Sequence, residues 1–186
     1  MLLTLTGGAG AGKTTLAAAL AATATAPVAV LHGDHYYVTA QDRGVWAPDE
    51  SGIPRLDVGD PRSIDAERLA RDTDAALAAA AVVIVDGLFA HRVAPRTAGT
   101  RLDVFVDLPA DLRLARKIQR KCVRDGFPVE ILLRNYLDHR RDAHERHIEP
   151  ARHTCHLVVD GALAPDALAR RVWSAVAERR TAAHHP

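Results

Sequence analysis

The chain has 186 residues, 48% of them hydrophobic and 25% charged, and its formal net charge is +1. This balance is typical of a globular protein and predicts a single domain spanning residues 1–186. The near-zero charge argues against nucleic acid or an acidic membrane as a partner. No uncharged apolar run reaches the roughly 18 residues that a membrane span needs.

Short apolar runs alternate along the chain with segments of helical pattern. Strands are predicted over residues 1–6, 27–32, 81–86, 102–106 and 156–159, and helices over residues 13–24, 63–80, 111–123, 129–147 and 165–180. Ser63 is the predicted N-cap of the second helix, and residues 35–60, interrupted by Gly and Pro, are predicted as a loop. The alternation predicts an α/β fold with a five-stranded parallel sheet, whose ligands bind at the carboxyl ends of the strands.

The first strand is followed by TGGAGAGKTTL, which has the Gly-x-x-x-x-Gly-Lys-Thr spacing of a phosphate-binding loop. Its backbone N–H groups can surround phosphate oxygens, and the next helix directs its positive end at the same anion. Lys13 is predicted to reach the β- and γ-phosphates, and Thr14 to place its hydroxyl on Mg²⁺. The predicted ATP-binding residues of this loop are Gly7, Gly8, Ala9, Gly10, Ala11, Gly12, Lys13, Thr14 and Thr15.

Acidic residues follow the second and third strands. Asp34, in HGDHYY, either accepts the proton of an attacking hydroxyl or caps a turn. One of the adjacent Tyr36 and Tyr37 is expected to line the acceptor pocket, and Tyr37 is the candidate. Asp86 ends the run AVVIVD, the pattern of a Walker B strand. It is therefore a predicted Mg²⁺ ligand, with a simple strand-ending turn residue as the alternative.

Residues 111–126 (DLRLARKIQRKCVRDG) carry basic side chains at intervals of three and four. Arg113, Arg116 and Arg120 fall along one face of the predicted helix. This face is either a solvated surface or a lid, over about residues 113–128, that closes arginines on the triphosphate and stabilises the charge on the transferring group. The aromatic content of 4% argues against RNA binding.

The location of the protein and the fate of the terminal phosphate are also addressed by the sequence. Cys122 and Cys155 have neither metal-site nor disulfide spacing, which indicates reduced thiols in a cytoplasmic protein. The apolar stretch 16–26 lacks a preceding basic region, so a signal peptide is not expected.

The only asparagine, Asn135, precedes Tyr136, so the Asn-Lys-x-Asp motif of GTPases is absent. These features favour a kinase for a small molecule over a switch or a motor.

The ordered segments GGAGAGKTTL, VLHGDHYY, LDVGDPRSID, VVIVDGLFA, LDVFVDLPADLRLARKIQR and HIEPARHTCHLVV resemble the uridine kinase-like group of P-loop kinases. This group includes uridine/cytidine kinases, nicotinamide riboside kinases and phosphoribulokinase. The resemblance covers most of residues 2–160. It implies a three-layer α/β/α fold with sheet order 2-3-1-4-5, a helical lid, and the use of ATP and Mg²⁺.

Carried over residue by residue, the resemblance makes Asp34 the catalytic base and places Lys13, Thr14 and Thr15 on the triphosphate and Mg²⁺. Asp86 stands where the family usually has Glu. The lid residues that contact phosphates and substrate correspond to Arg116, Arg120 and Arg124, with Arg120 taken as catalytic. Asp57, in LDV, matches the acid that holds ribose hydroxyls in nicotinamide riboside kinases, and Asp60 is a rival for that role.

The sequence also departs from the family pattern. The base-reading β-hairpin of uridine kinases is missing before AVVIVDG, and the Arg-Gly-Arg lid corner is replaced by Arg124-Asp125-Gly126-Phe127. The loop from Thr39 to Pro54 is the alternative wall of the acceptor pocket, where Trp46 either stacks on a base or covers loop residues.

The predicted function is transfer of the γ-phosphate of ATP to a hydroxyl of a nucleoside or ribosyl compound, by a monomer or homodimer. The alternatives are a non-nucleoside acceptor (a sugar phosphate, a pantothenate-like compound or an antibiotic) and a regulatory nucleotide-binding protein without transfer chemistry.

Overall fold

A computed structural model describes residues 1–48, 53–97 and 99–182 of the chain. Its strands are β1 (Leu2–Thr6), β2 (Val28–His32), β3 (Trp46–Pro48), β4 (Pro54–Leu56), β5 (Val82–Asp86), β6 (Arg101–Asp107) and β7 (Leu157–Asp160). Five of them form one sheet in the order β2-β5-β1-β6-β7, and every neighbouring pair is parallel. Counted among the sheet strands alone, this is the order 2-3-1-4-5, so the predicted α/β class is confirmed.

The helices are α1 (Lys13–Ala22), α2 (Ala66–Ala79), α3 (Ala110–Ile118), α4 (Val129–Asn135), α5 (Arg141–His147) and α6 (Pro165–Ala182). A π-helical segment, Gln119–Arg124, extends α3, and another, Tyr136–Arg140, joins α4 to α5. The predicted helix over residues 129–147 is thus helical throughout, but its hydrogen-bond pattern changes in the middle. Wide π turns of this kind are frequent at functional sites.

The central strands are buried on both faces, so alternate side chains enter different cores. Leu3 and Leu5 of β1 and Ile84 of β5 pack with α1 and α6 on one face. Val83 and Val85 pack with α2 on the other face. Helices therefore cover both faces of the sheet. No helix within the described residues is both long and apolar enough to cross a membrane.

The local predictions between β2 and α2 need correction. The N-cap of α2 is Asp65, whose side chain accepts from the Arg68 N–H. Ser63 ends a 3₁₀ turn instead, and its buried Oγ accepts from the Val45 N–H at 3.3 Å. The predicted loop 35–60 contains the antiparallel pair β3–β4, with Trp46 opposite Leu56. Its residues 49–52 lie outside the described residues.

Candidate active site

The glycine loop connects β1 to α1 at the carboxyl edge of the sheet. Gly10 has φ +87°, and a Cβ there would come within 2.6 Å of the Arg113 carbonyl oxygen. A side chain is therefore excluded twice, by backbone conformation and by space. Seven of the nine predicted loop residues line a cleft of about 720 Å³: Ala9, Gly10, Ala11, Gly12, Lys13, Thr14 and Thr15. Gly7 and Gly8 are buried beneath it.

The turn after β7 supports the glycine loop from the other side. A Cβ on Gly161 would approach the Ala11 carbonyl oxygen to 2.5 Å, so this turn and the loop are in direct backbone contact. The Gly161 carbonyl accepts from Arg116 Nη1 at 3.1 Å. Gly161 and Arg116 both line the cleft, as do Leu163 and Pro165, which supply apolar surface beyond the phosphate loop.

Lys13 is the buried cation of the cleft, with 9% of its surface exposed. Its ammonium group donates to the Gly8 carbonyl at 2.9 Å. Burial lowers its pKa to about 8, against the opposing influence of Asp34 and Asp86. A bound anion would favour the protonated form again and restore a higher pKa.

ATP affinity is expected to fall as pH rises through about 8, since only protonated Lys13 attracts phosphate. Above that pKa the dissociation constant should rise about tenfold per pH unit, and binding should be accompanied by proton uptake. A fluorescent ATP analogue titrated from about pH 7 to about pH 10 measures this, and calorimetry in buffers of different ionisation enthalpy measures the proton. Flat affinity over this range would contradict the lowered pKa of Lys13, because the side chain would then stay protonated throughout.

Asp86 forms the second charged centre of the cleft and is 3% exposed. Its Oδ2 accepts from Thr14 Oγ1 at 2.6 Å, and its Oδ1 accepts from His32 Nδ1 at 2.7 Å. The strands explain this meeting, because β5 lies between β1 and β2 and pairs Asp86 with both Leu5 and His32. The structure therefore brings the two predicted metal residues together.

This donor set fits Mg²⁺. The ion prefers hard oxygen ligands and is usually held by one or two protein groups together with waters and substrate phosphates. Thr14 and Asp86 supply a hydroxyl and a carboxylate beside the phosphate loop. Within the described ranges no group of three or more His, Cys, Asp or Glu side chains forms a metal cage. The protein residues that would hold Mg²⁺ are Thr14 and Asp86.

His32→Ala is expected to lower the affinity for Mg²⁺ in the presence of ATP by about 10- to 100-fold, the usual cost of losing a group that orients a metal ligand. The reason is that the hydrogen bond to Asp86 Oδ1 fixes the carboxylate beside Thr14. Titration of analogue binding with Mg²⁺ measures the effect. His32→Asn keeps an N–H near the position of Nδ1 and should restore most of it. An unaltered titration in His32→Ala would argue against this role.

The wall of the cleft where the acceptor is predicted to bind includes the 3₁₀ turn Gly33–Tyr36, which follows β2. Asp34 and Tyr37 both line the cleft, together with His35. The Tyr37 hydroxyl donates to the Val58 carbonyl at 3.1 Å. Burial, and then the charge of Asp34, raise the Tyr37 pKa, so this hydroxyl stays protonated. Tyr36 is in the core, with its hydroxyl on Asp72. The choice of Tyr37 over Tyr36 as a cleft residue therefore agrees with their positions.

The arginines of the predicted lid divide into three groups. Arg116 and Arg120 line the cleft. Arg113 turns toward the backbone, where its Nε donates to the Leu108 carbonyl at 2.9 Å. Arg124 is exposed, lies beside Asp125 and does not line the cleft. Of the three arginines predicted on one face, Arg113 therefore packs against the glycine loop at Gly8, whereas Arg116 and Arg120 line the cleft.

Asp57 and Asp60, the rival acceptor residues, are both held by arginines and neither lines the cleft. Asp60 accepts from the backbone and side chain of Arg62 and caps the turn Pro61–Ser63. Asp57 accepts from Arg140 Nη1 at 2.6 Å, next to Val58, which does line the cleft. Trp46 donates to the Arg43 carbonyl and also lies outside the cleft wall, as expected for a residue that covers the loop.

Sequence reasoning missed three polar residues of the cleft: His32, His35 and Gln119. His32 ends β2, so the rule that ligand-contacting residues follow strands was a usable signal for it. His35 adjoins Asp34 and carries the same signal. Gln119 begins the π segment after α3, and nothing in its local sequence marks it.

The model of the phosphoribulokinase/uridine kinase family matches residues 60–166. A uridine kinase of Chlamydia pneumoniae is 26% identical, with 87% of this chain and 82% of the relative covered. A uridine kinase of Halobacterium salinarum is 28% identical, with 85% and 79% covered.

Two solved structures share the fold. A sugar kinase from Janibacter superimposes with a TM-score of 0.58 at 21% identity, covering 93% of this chain and 92% of its own. A shikimate kinase from Acinetobacter baumannii superimposes with a TM-score of 0.52 at 15% identity, covering 95% and 93%. These likenesses concern the fold alone. The family model, in contrast, spans more than half of the sequence, and the chain therefore belongs to the phosphoribulokinase/uridine kinase family.

Proposed function

We propose that this protein transfers the γ-phosphate of ATP to a hydroxyl of a small molecule, preferably a nucleoside or another ribosyl compound. The observation that supports this most strongly is one cleft lined by the glycine loop, by Lys13 and by Asp34. A nucleotide-binding regulator needs the first two groups only. A carboxylate in the same cleft, able to accept the proton of an acceptor hydroxyl, is what a two-substrate transfer adds.

In the proposed reaction the glycine loop and Lys13 position the triphosphate. Asp34 accepts the proton of the acceptor hydroxyl, and the oxygen of that hydroxyl forms a bond to the γ-phosphorus. At the same time the bond between the γ-phosphorus and the oxygen that bridges it to the β-phosphate breaks, which releases ADP. Arg116 and Arg120 stand on the lid side of the cleft, where they stabilise charge on the phosphoryl oxygens. Mg²⁺, held through Thr14 and Asp86, would neutralise charge on the β- and γ-phosphates.

The segment over residues 113–128 is proposed as the lid. Its helix α3 has no buried residues within the chain, and Val123 is 77% exposed in the π segment that follows. Elements with few buried contacts move at the lowest cost in free energy. Closure of this segment would bring Arg120 over the phosphates and exclude water from the transferring group.

A screen of acceptors tests the proposal. ATP consumption is measured with nucleosides, nicotinamide riboside, pantothenate, sugars and sugar phosphates, each against a blank without acceptor. A kinase should form ADP at least about 100-fold faster with its acceptor than with water alone, since positioning supplies much of the rate. Equal, slow ADP formation with every compound would favour the regulatory alternative.

A further inference from the structure

A second cavity of about 90 Å³ adjoins the cleft on its acceptor side. It shares Ala9, Val58 and Leu88 with the cleft wall, so the two spaces are direct neighbours. Its other walls come from α3, from the π segment after α4 and from α5. A water needs only about 10–15 Å³ by this measure, so the cavity has room for a ligand group of several atoms.

Lys117 lines this cavity without an acidic partner. Within the described part of the chain its ammonium group makes neither a hydrogen bond nor an ion pair, whereas Lys121 is paired with Asp125. Burial lowers the Lys117 pKa, and the positive charges of Arg140, Arg120 and Lys121 lower it further. The apolar Leu114 and Ile148 stand in the same wall. A desolvated cation among other cations is unfavourable until an anion joins it.

Four more polar side chains line the same space: Arg113, Tyr136, Arg140 and His144. Arg140 lines the cavity while it donates to Asp57 at 2.6 Å. His144 has a side chain only 13% exposed, and its Nε2 lies 3.1 Å from Glu149 Oε2. Its Nδ1 is buried and has no partner in the described structure. Because unpaired buried polar atoms are rare, a water or a hydroxyl of a ligand is expected as the partner of Nδ1.

We propose that this cavity binds an anionic group of the acceptor, a phosphate monoester or a carboxylate, through Lys117 with Arg140 beside it. The inference rests on the proposed kinase function, since it names the class of acceptor for the same cleft. The acceptor would then extend from the hydroxyl at Asp34 past Val58 and Leu88 to a charged end at Lys117. A low-polarity wall strengthens such a charge-assisted bond.

The test compares matched acceptors and two variants that each lose one positive charge. Ribose is compared with ribose 5-phosphate, and glycerol with glycerate, so that phosphate and carboxylate are separated. The wild type should prefer one charged compound over its neutral partner. Lys117→Met, which keeps the length of the side chain, should raise the KM for that compound about 10- to 100-fold and change kcat and the KM for ATP little. Arg170→Met, which removes one exposed positive charge of α6 outside both cavities, is the matched control and should leave all three unchanged.

The outcomes separate this inference from the kinase function. The anion site is wrong, and the kinase function is unaffected, if the wild type phosphorylates a neutral compound and its charged partner with equal efficiency. The same conclusion follows if Lys117→Met raises the KM for both compounds equally. If no compound consumes ATP, inorganic phosphate and acetate are titrated by calorimetry into protein saturated with Mg²⁺ and a non-hydrolysable ATP analogue. Binding of either anion that Lys117→Met abolishes and Arg170→Met retains supports the site. Absence of such binding overturns it.

Discussion

Replacing Asp34 with Asn is expected to lower kcat about 100- to 10,000-fold, the range that a positioned general base contributes. The amide keeps the size and polarity of the side chain but cannot accept the proton of the acceptor hydroxyl. ATP binding should change little, because the glycine loop and Lys13 hold the triphosphate and the substitution removes none of these groups. Steady-state kinetics with the acceptor found by screening, together with analogue binding, measure both quantities.

The control for this variant is Asp42→Asn, which removes an exposed carboxylate of the same loop outside the cleft. Its kinetics should match those of the wild type. If Asp34→Asn retains its turnover, Asp34 is not the base. Asp34 would then be only a turn residue, and the case for a second substrate in this cleft would lose its main support.

Replacing Lys13 with Met is expected to weaken ATP binding and lower kcat by about 100- to 1,000-fold, the usual cost of removing one preorganised donor from a charged transition state. Lys13 is buried beside the glycine loop and near Asp34 and Asp86, so no solvent molecule replaces its charge at that place. Analogue binding and steady-state kinetics measure the loss.

Unfolding experiments separate this loss from damage to the fold. The lowered Lys13 pKa means that the native state disfavours the charged form, so removing the charge should leave the free energy of unfolding at pH 7 unchanged or raise it. A variant that is stable but does not bind ATP supports the assignment. Full ATP affinity in Lys13→Met would exclude Lys13 as the phosphate-binding lysine.

The parts of the site that lie directly after strands were predictable from sequence. Lys13, Asp34 and Asp86 follow or end three parallel strands, and the carboxyl ends of such strands meet at one edge of a sheet. Hydrophobic runs mark these strands clearly because both faces are buried. The strand order then places β5 between β1 and β2, which joins Asp86 to Thr14 and His32.

Features decided by distant contacts were not predictable. Ser63 and Asp65 are both good helix caps, and the Val45 N–H, 18 residues away, engages Ser63 and leaves the cap to Asp65. Asp57 is paired with Arg140 across 83 residues. No local pattern distinguishes such partners.

Helical spacing was similarly insufficient for the lid and for the second cavity. Arg113 and Arg116 are three residues apart, yet one bonds the Leu108 carbonyl and the other the Gly161 carbonyl. Lys117 and His144 line the same cavity only because the fold brings α3 and α5 to it. The spacing predicts which residues share a face, whereas the neighbouring backbone decides where each guanidinium or ammonium group binds.

The fate of the γ-phosphate of ATP tests the central claim most directly. Phosphorus NMR of a reaction with the acceptor selected by screening distinguishes a phosphate monoester from inorganic phosphate. Transfer chemistry in this cleft predicts one monoester formed for each ADP, with the signal lost in Asp34→Asn. Inorganic phosphate as the only product, at the same rate with and without acceptor, would contradict it.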